Sequence, residues 1–425
     1  MTASRALARD ALVRVEDGAY SHVLVPELLR GSKLSARDRA FVTDLVYGTL
    51  RSQRRLDALL EPHGRRPLAT LDAPVRATLR LGAYQLIEGV PVHAAVGETV
   101  EATPERARGY VNAVLRALAA TGPPFPVSGD DAVELSYPDW LVDRLVTDLG
   151  RDDALEVLRA SNEPAAVTLR PNPLLTTPSA LTDELRRAGA EVLRGSLQRD
   201  ALIVRRTGDL ARAPAVTEGR ATPQDQASQA VVACLAPEPG DRVLDVAAAP
   251  GGKATAAGER VGEKGLVLAL DVHPGRLRLV RDGAARVGVP WVVTAVADAV
   301  RLPVASASFD QVLVDAPCSG LGVLRRRPEA RWRVTPEQIE PLADLQTAMV
   351  LAAASAVRSG GRLVYSVCTL TRAETIGVAE RVLEQLSGFS VEPPPAGWRV
   401  HGDGALVLPQ DAGSDGMFVL ALHRE

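Results

Sequence analysis

Five apolar runs between Arg242 and Cys368 constrain the fold more than any other feature of this chain: "RVLDVA", "GLVLALD", "PWVVTAVA", "FDQVLVDA" and "GRLVYSVC", with helical segments between most of them. Strands that alternate with helices in this way build a parallel, doubly wound sheet carrying helices on both faces. In such a sheet ligands bind outside the carboxyl ends of the strands, so the residues that close each run are the first candidates for function.

This region is less than half of the 425 residues, and the length calls for two or three domains. From Ser4 to about Ala120 the apolar positions recur at helical spacing. In "YVNAVLRALAA", Tyr110, Val111, Val114, Leu115 and Leu118 share one face. The prolines and glycines of "TGPPFPVSGDD" stop that pattern. A middle stretch mixes helices such as "YPDWLVDRLVTDLG" with short β-type runs, "AAVTLRPN" and "RDALIVRR". The expected organisation is an all-helical domain over 1–125, a small α+β module over 126–220 and the α/β domain over 221–425.

No apolar run reaches the roughly 18 residues of a membrane span, and the opening twenty residues lack an export signal, so a cytoplasmic protein is expected. Cys234, Cys318 and Cys368 are an odd set without metal-ligand spacing, which points to neither a disulfide framework nor a metal site. Only Lys33, Lys253 and Lys264 interrupt an otherwise all-arginine set of basic residues. The chain is formally −3 overall, yet residues 1–120 hold 17 Lys/Arg against 13 Asp/Glu. A mildly basic first domain on an acidic whole is compatible with an RNA partner.

The first strand runs into "LDVAAAPGGKAT", a glycine-rich turn that leads to a helix. Glycines let the backbone approach a ligand, and the helix start supplies free N–H groups. Asp271 closes the second strand 20 residues after Gly251, where an acid binds ribose hydroxyls, and Asp298 closes the third, within reach of an adenine edge. These groups indicate a nucleoside-containing cofactor without separating S-adenosylmethionine from a nicotinamide nucleotide.

The fourth and fifth strands carry the discriminating residues. Asp315 and Cys318 lie just past "FDQVLVDA", and Cys368 ends "GRLVYSVC". One cysteine alone reads as a small buried hydrophobe, as Cys234 does in its helix. Two at neighbouring strand ends suit a different purpose. Carbon 5 of a pyrimidine is a poor nucleophile until a thiolate adds to carbon 6 and turns it into an enamine. An acid at ring nitrogen 3 stabilises the developing charge, and a second thiol helps to remove the carbon 5 proton and release the enzyme. A nicotinamide dehydrogenase leaves both thiols unexplained, and an amino-group methyltransferase needs neither.

With "DVAAAPGGK", "LALDVHPGRL", "DAPCSGLG" and "YSVCTL" in this order, the chain resembles the RNA cytosine-C5 methyltransferases of the Nol/Nop/Sun family. Its first domain, through "LSARDRAFVTDLVYGTLR", "VPVHAAVGETVE" and "GYVNAVLRAL", resembles the NusB-like RNA-binding domain of the family's bacterial small-subunit rRNA type. The resemblance implies a Rossmann-like methyltransferase domain joined to a NusB-like one, S-adenosylmethionine as cofactor and small-subunit rRNA, in unpaired or loop regions, as partner. Transfer RNA is the alternative acceptor, and a non-catalytic RNA-binding assembly factor the alternative role. It implies Cys368 as nucleophile, Cys318 as the thiol that assists release, Asp315 as the acid beside the base and Lys253 near the reacting centre. Ala247, Ala248, Ala249, Pro250, Gly251, Gly252 and Lys253, with Asp271, Arg276, Asp298 and Asp315, match the cofactor site. Ala247 and Ala254 depart from the cysteine and threonine that members often carry there, which implies altered cofactor packing with the mechanism retained. Neither a metal nor a membrane is implied, and a monomer is expected.

"LRRRPEARWR", after the first thiol, holds Arg325, Arg326, Arg327, Arg331 and Trp332. Arginines contact phosphates and stack on unpaired bases, and a tryptophan adds a platform, so this segment is the expected RNA contact. A cytosine must leave its stack to reach Cys368, which favours single-stranded or loop RNA.

Overall fold

The computed structural model describes residues 2–127, 129–205 and 210–425. Its chain divides into two compact units, Met1–Pro164 with Leu324–Val334, and Ala165–Val323 with Thr335–Glu425. No described helix is long and apolar enough to cross a membrane.

The first unit is helical. Helices Thr2–Glu16, Ala36–Arg51, Ala73–Ile87 and Arg108–Thr121 contribute to a core that includes Ala8, Leu45, Leu79 and Leu115. The expected stripe is observed: Val111, Val114, Leu115 and Leu118 are buried, and Tyr110 packs at the core's margin. Ser35 starts Ala36–Arg51 by accepting from the Asp38 N–H, which satisfies one of the donors a helix start leaves free. Helices Asp139–Leu149 and Arg151–Asn162 belong to this unit as well.

The second unit opens with a four-stranded antiparallel sheet, β1 (Val167–Pro171), β2 (Glu191–Arg194), β3 (Leu202–Arg205) and β4 (Ala221–Pro223), in the order β2-β3-β1-β4. Leu181 and Leu185, from helix Pro178–Arg187, share its core with Leu169, Leu202 and Val204. An α+β module is present as expected, but the helices Asp139–Leu149 and Arg151–Asn162, read from the sequence as part of it, group with the first unit.

The larger sheet contains the five expected strands as β5 (Arg242–Asp245), β6 (Leu266–Asp271), β7 (Val292–Val296), β8 (Phe309–Asp315) and β9 (Val357–Val367). They pair in parallel in the order β9-β8-β5-β6-β7. Beyond β9 the sheet turns antiparallel, through β10 (Phe389–Val391), β11 (Arg399–His401), β12 (Gly404–Val407) and β13 (Met417–Arg424). These strands close the β9 edge with buried Val407, Phe418 and Leu420. Strand order reverses between β5 and β8, since the chain runs outward through β6 and β7 before returning beside β5. That switch point opens a crevice at the carboxyl ends of these two strands.

Candidate active site

Each of the five parallel strands ends in, or just before, a residue with chemistry. Asp245 ends β5, Asp271 ends β6, Asp298 follows β7, Asp315 ends β8 and Cys368 follows β9. Between β5 and helix Gly252–Val261 the turn requires glycine at 251: its φ is +105°, and a Cβ there would come within 2.9 Å of the Val280 Cα.

Around this turn Ala248 N–H donates to the Leu270 carbonyl (2.7 Å), and Arg276 Nη2 donates to the Ala249 carbonyl (2.7 Å). Arg276 also approaches Asp271, Nη1 to Oδ2 at 3.8 Å. Asp271 is buried and accepts from the His273 N–H, whereas Asp298 is exposed and accepts from the Val300 N–H. Ala254 is fully buried in the helix's first turn.

Asp245 was not among the residues singled out from sequence. It is 1% exposed, its Oδ1 accepts weakly from the Ala247 N–H at 3.4 Å, and its Oδ2 has no partner among the described residues. Burial first, then the negative charge of Asp315, raises its carboxyl to about 7, against the pull of Lys253. A strand-end acid in "LDVAAAPGG" was the available signal. A buried acceptor left open at the crevice fits a ligand that brings a donor, as an aminoacyl group does.

Lys253 Nζ donates to Asp315 Oδ2 at 2.6 Å, and the Ser366 hydroxyl donates to Asp315 Oδ1 at 2.9 Å. Burial pulls the Lys253 ammonium down, but Asp315, by charge and hydrogen bond, together with Cys368 and Asp245, outweighs it, and the net shift is upward. Lys253 therefore stays charged among acids.

The Sγ atoms of Cys318 and Cys368 are 3.4 Å apart, both thiols half-buried. The hydrogen bond to Cys368, then burial, then the charges of Cys368 and Glu374 hold the Cys318 thiol well above its ordinary range. The loops that carry them touch through Gly322, whose N–H donates to the Cys368 carbonyl at 2.9 Å; a Cβ at 322 would lie 2.1 Å from the Gly416 oxygen. Cys234 stands apart, packed against the core with its thiol raised to about 11 by burial.

The segment read as an RNA contact is for the most part built into the helical unit. Arg331 is fully buried: its guanidinium lies 3.9 Å over the Tyr137 ring, and Nη1 reaches the carbonyls of Arg51 (3.1 Å) and Ser136 (3.1 Å) and Asn162 Oδ1 (2.8 Å). Arg325 is 9% exposed and donates to the Pro164 carbonyl. The expectation for these two is corrected, because their donors are turned inward onto carbonyls and a ring face. Trp332 is half-buried and lines a cavity of about 220 Å³ with Leu12, Val15 and Leu50. Arg327 is exposed and Arg326 partly so.

Comparisons with known proteins identify the family of each region of the chain. The model of the 16S rRNA methyltransferase RsmB/F family matches residues 232–423, the NusB family 2–120, and the RsmF/B-like ferredoxin-like domain 137–211. The probable ribosomal RNA small subunit methyltransferase B of Bacillus subtilis is 33% identical, with 100% of this chain and 99% of that protein covered. The ribosomal RNA small subunit methyltransferase B of Thermus thermophilus is 36% identical, with 99% and 97% covered. Among solved structures, that of PH0851 superposes with a TM-score of 0.86 at 25% identity, covering 100% of this chain and 99% of its own.

Proposed function

Because the chain belongs to the RsmB/F family of small-subunit rRNA methyltransferases, using S-adenosylmethionine, we propose that it methylates carbon 5 of an rRNA cytosine through a covalent adduct between Cys368 and carbon 6. The observation that carries this reading is the pair of thiols 3.4 Å apart beside the Lys253–Asp315 ion pair. A methyl transfer to an amino group has no use for two thiols in contact.

The cofactor residues are those of the β5 turn, 247–253, with Asp271, Arg276 and Asp298 toward the nucleoside. Asp245 is positioned to meet the aminoacyl end. S-adenosylmethionine, when bound, supplies an electrophilic methyl group. Everything else falls to the chain. Asp315, fixed by Lys253 and Ser366, faces the pyrimidine edge and steadies the charge that builds as sulfur adds. Cys368 donates its electron pair to carbon 6, and carbon 5 becomes the nucleophile. After methylation a proton leaves carbon 5 and the carbon–sulfur bond breaks.

The proximity of the thiols gives these steps an order. The charge of Cys368 is one of the causes that hold the Cys318 proton in place. Once Cys368 is bonded to carbon, that charge is gone, and Cys318 gives up its proton more readily. Burial and the charge of Glu374 still oppose its ionisation, so Cys318 takes the carbon 5 proton only after its own proton has passed to solvent, a step that the loss of the Cys368 charge makes easier once the adduct has formed.

Arg326 and Arg327 remain candidates to touch the RNA backbone, and the matched NusB-family domain is a second RNA-binding region. The test is methyl transfer from S-adenosylmethionine to unmodified small-subunit rRNA, with the modified nucleoside identified by mass. 5-Methylcytidine is the expected product. Any other methylated nucleoside removes the cytosine reading, and labelling of transfer RNA alone moves the substrate.

A further inference from the structure

Apart from its charge helping to hold the Cys318 thiol protonated, the carboxylate of Glu374 takes no part in the chemistry described so far, yet it is fully buried between the two thiol loops. It lies six residues after Cys368, just before helix Ile376–Gln385. Oε1 accepts from the Ser319 N–H at 2.8 Å and from Gln346 Nε2 at 3.1 Å. The hydroxyls of Ser319, Thr371 and Thr369 stand 2.6, 2.9 and 3.0 Å from Oε2. Gln346 also donates to the Pro317 carbonyl, and the Tyr365 hydroxyl reaches both Gln346 Oε1 and the Glu374 carbonyl. Pro317 and Ser319 flank Cys318, and Thr369 adjoins Cys368.

Five donors on one buried carboxylate are an expensive arrangement for packing alone, since apolar residues would fill the same space without desolvating a charge. What a carboxylate adds is two acceptor oxygens with room for several donors, enough to hold two loops at one spacing. We propose that Glu374 is the positioning residue that sets the distance between Cys318 and Cys368, and so decides whether the adduct is resolved. It acts through Ser319 and Thr369 and touches no substrate.

The catalytic half of this proposal rests on the cytosine adduct argued above, whereas the spacing of the thiols is measurable without RNA. In a Cys234→Ala background, which leaves only the pair, diamide joins Cys318 to Cys368. Both S–H bonds break, one S–S bond forms, and the two hydrogens pass to the azo bond of diamide, giving the hydrazine. Glu374→Ala should slow this closure, read as loss of two titratable thiols, on the order of 10–100-fold. In single turnover with rRNA it should lower the rate by a comparable factor at unchanged KM and unchanged S-adenosylmethionine affinity. A covalent protein–RNA band should also accumulate on denaturing gels although Cys318 is present. Glu374→Gln, which keeps one acceptor oxygen, should recover part of both losses. A purely structural residue would move stability without shifting the ratio of adduct to product.

Should Glu374→Ala fail to fold, Glu374→Gln and Ser319→Ala carry the same comparison. A folded variant that closes its disulfide and turns over like wild type overturns the proposal. Slower closure in a protein that forms no adduct with any cytosine sustains the positioning role and removes the adduct reading instead.

Discussion

Lys253 Nζ lies 2.6 Å from Asp315 Oδ2, so a cation in the first turn of the helix after β5 is locked to the acid that ends β8. The pair spans the switch point of the sheet and brings the cofactor turn and the thiol loop into one site. Removing the cation leaves the charge of Asp315 uncompensated next to the buried Asp245, on which it already acts. Lys253→Met should therefore lower the single-turnover rate of methyl transfer on the order of 100-fold. RNA KM should change little. A variant within a factor of two of wild type would show that the ion pair is only structural.

The two thiols should separate by step. Cys368→Ala is expected to abolish both methyl transfer and adduct. Cys318→Ala should form the adduct and fail to release it, which gives a slow-migrating band that survives denaturation and disappears on nuclease digestion. An active Cys318→Ala enzyme with normal turnover would assign proton removal elsewhere.

Asp245 gives a prediction about pH. Its carboxyl is raised to about 7 in the fold, so the folded state holds a proton that the unfolded chain releases near pH 4. Its cost to stability is absent below about pH 4, grows as pH rises toward 7, and is complete above that. Asp245→Asn keeps the shape and removes the cost. The melting temperature of the cofactor-free variant should exceed wild type at pH 8 by more than at pH 5. The same variant should bind S-adenosylmethionine more weakly. Equal melting gains at both pH values would show that Asp245 carries no such penalty.

Arg331 and Arg327 lie four residues apart in the segment first read as an RNA contact, and their roles should divide. Arg331→Ala strips the stack on Tyr137 and three hydrogen-bond contacts from the helical unit. It should cost about 2–4 kcal/mol in urea unfolding. Arg327→Ala should leave stability unchanged and reduce the slope of log affinity for rRNA against log salt by about 1. Reversal of these two effects would return Arg331 to the RNA and make Arg327 a structural residue.

The alternation of strands and helices from β5 to β9, the helical first domain, and the placement of Asp271, Asp315 and both thiols at strand ends are legible from the residues alone. Those are local properties: hydrophobic period, turn residues, and the rule that a run of one geometry ends where its pattern ends. The antiparallel strands after β9 were not legible, because short runs such as Phe389–Val391 and Arg399–His401 acquire strand identity only by pairing with a neighbour. Which groups meet depends on the folded chain. Ser319 and Glu374 are 55 residues apart in the chain and 2.8 Å apart between N and Oε1. Arg331, read alone, is one more basic residue in a basic loop, yet it is buried on Tyr137. The orphaned oxygen of Asp245 follows from what surrounds β5. Hydrogen bonding and desolvation depend on neighbours in space, and a one-dimensional pattern does not contain those neighbours until the chain has folded.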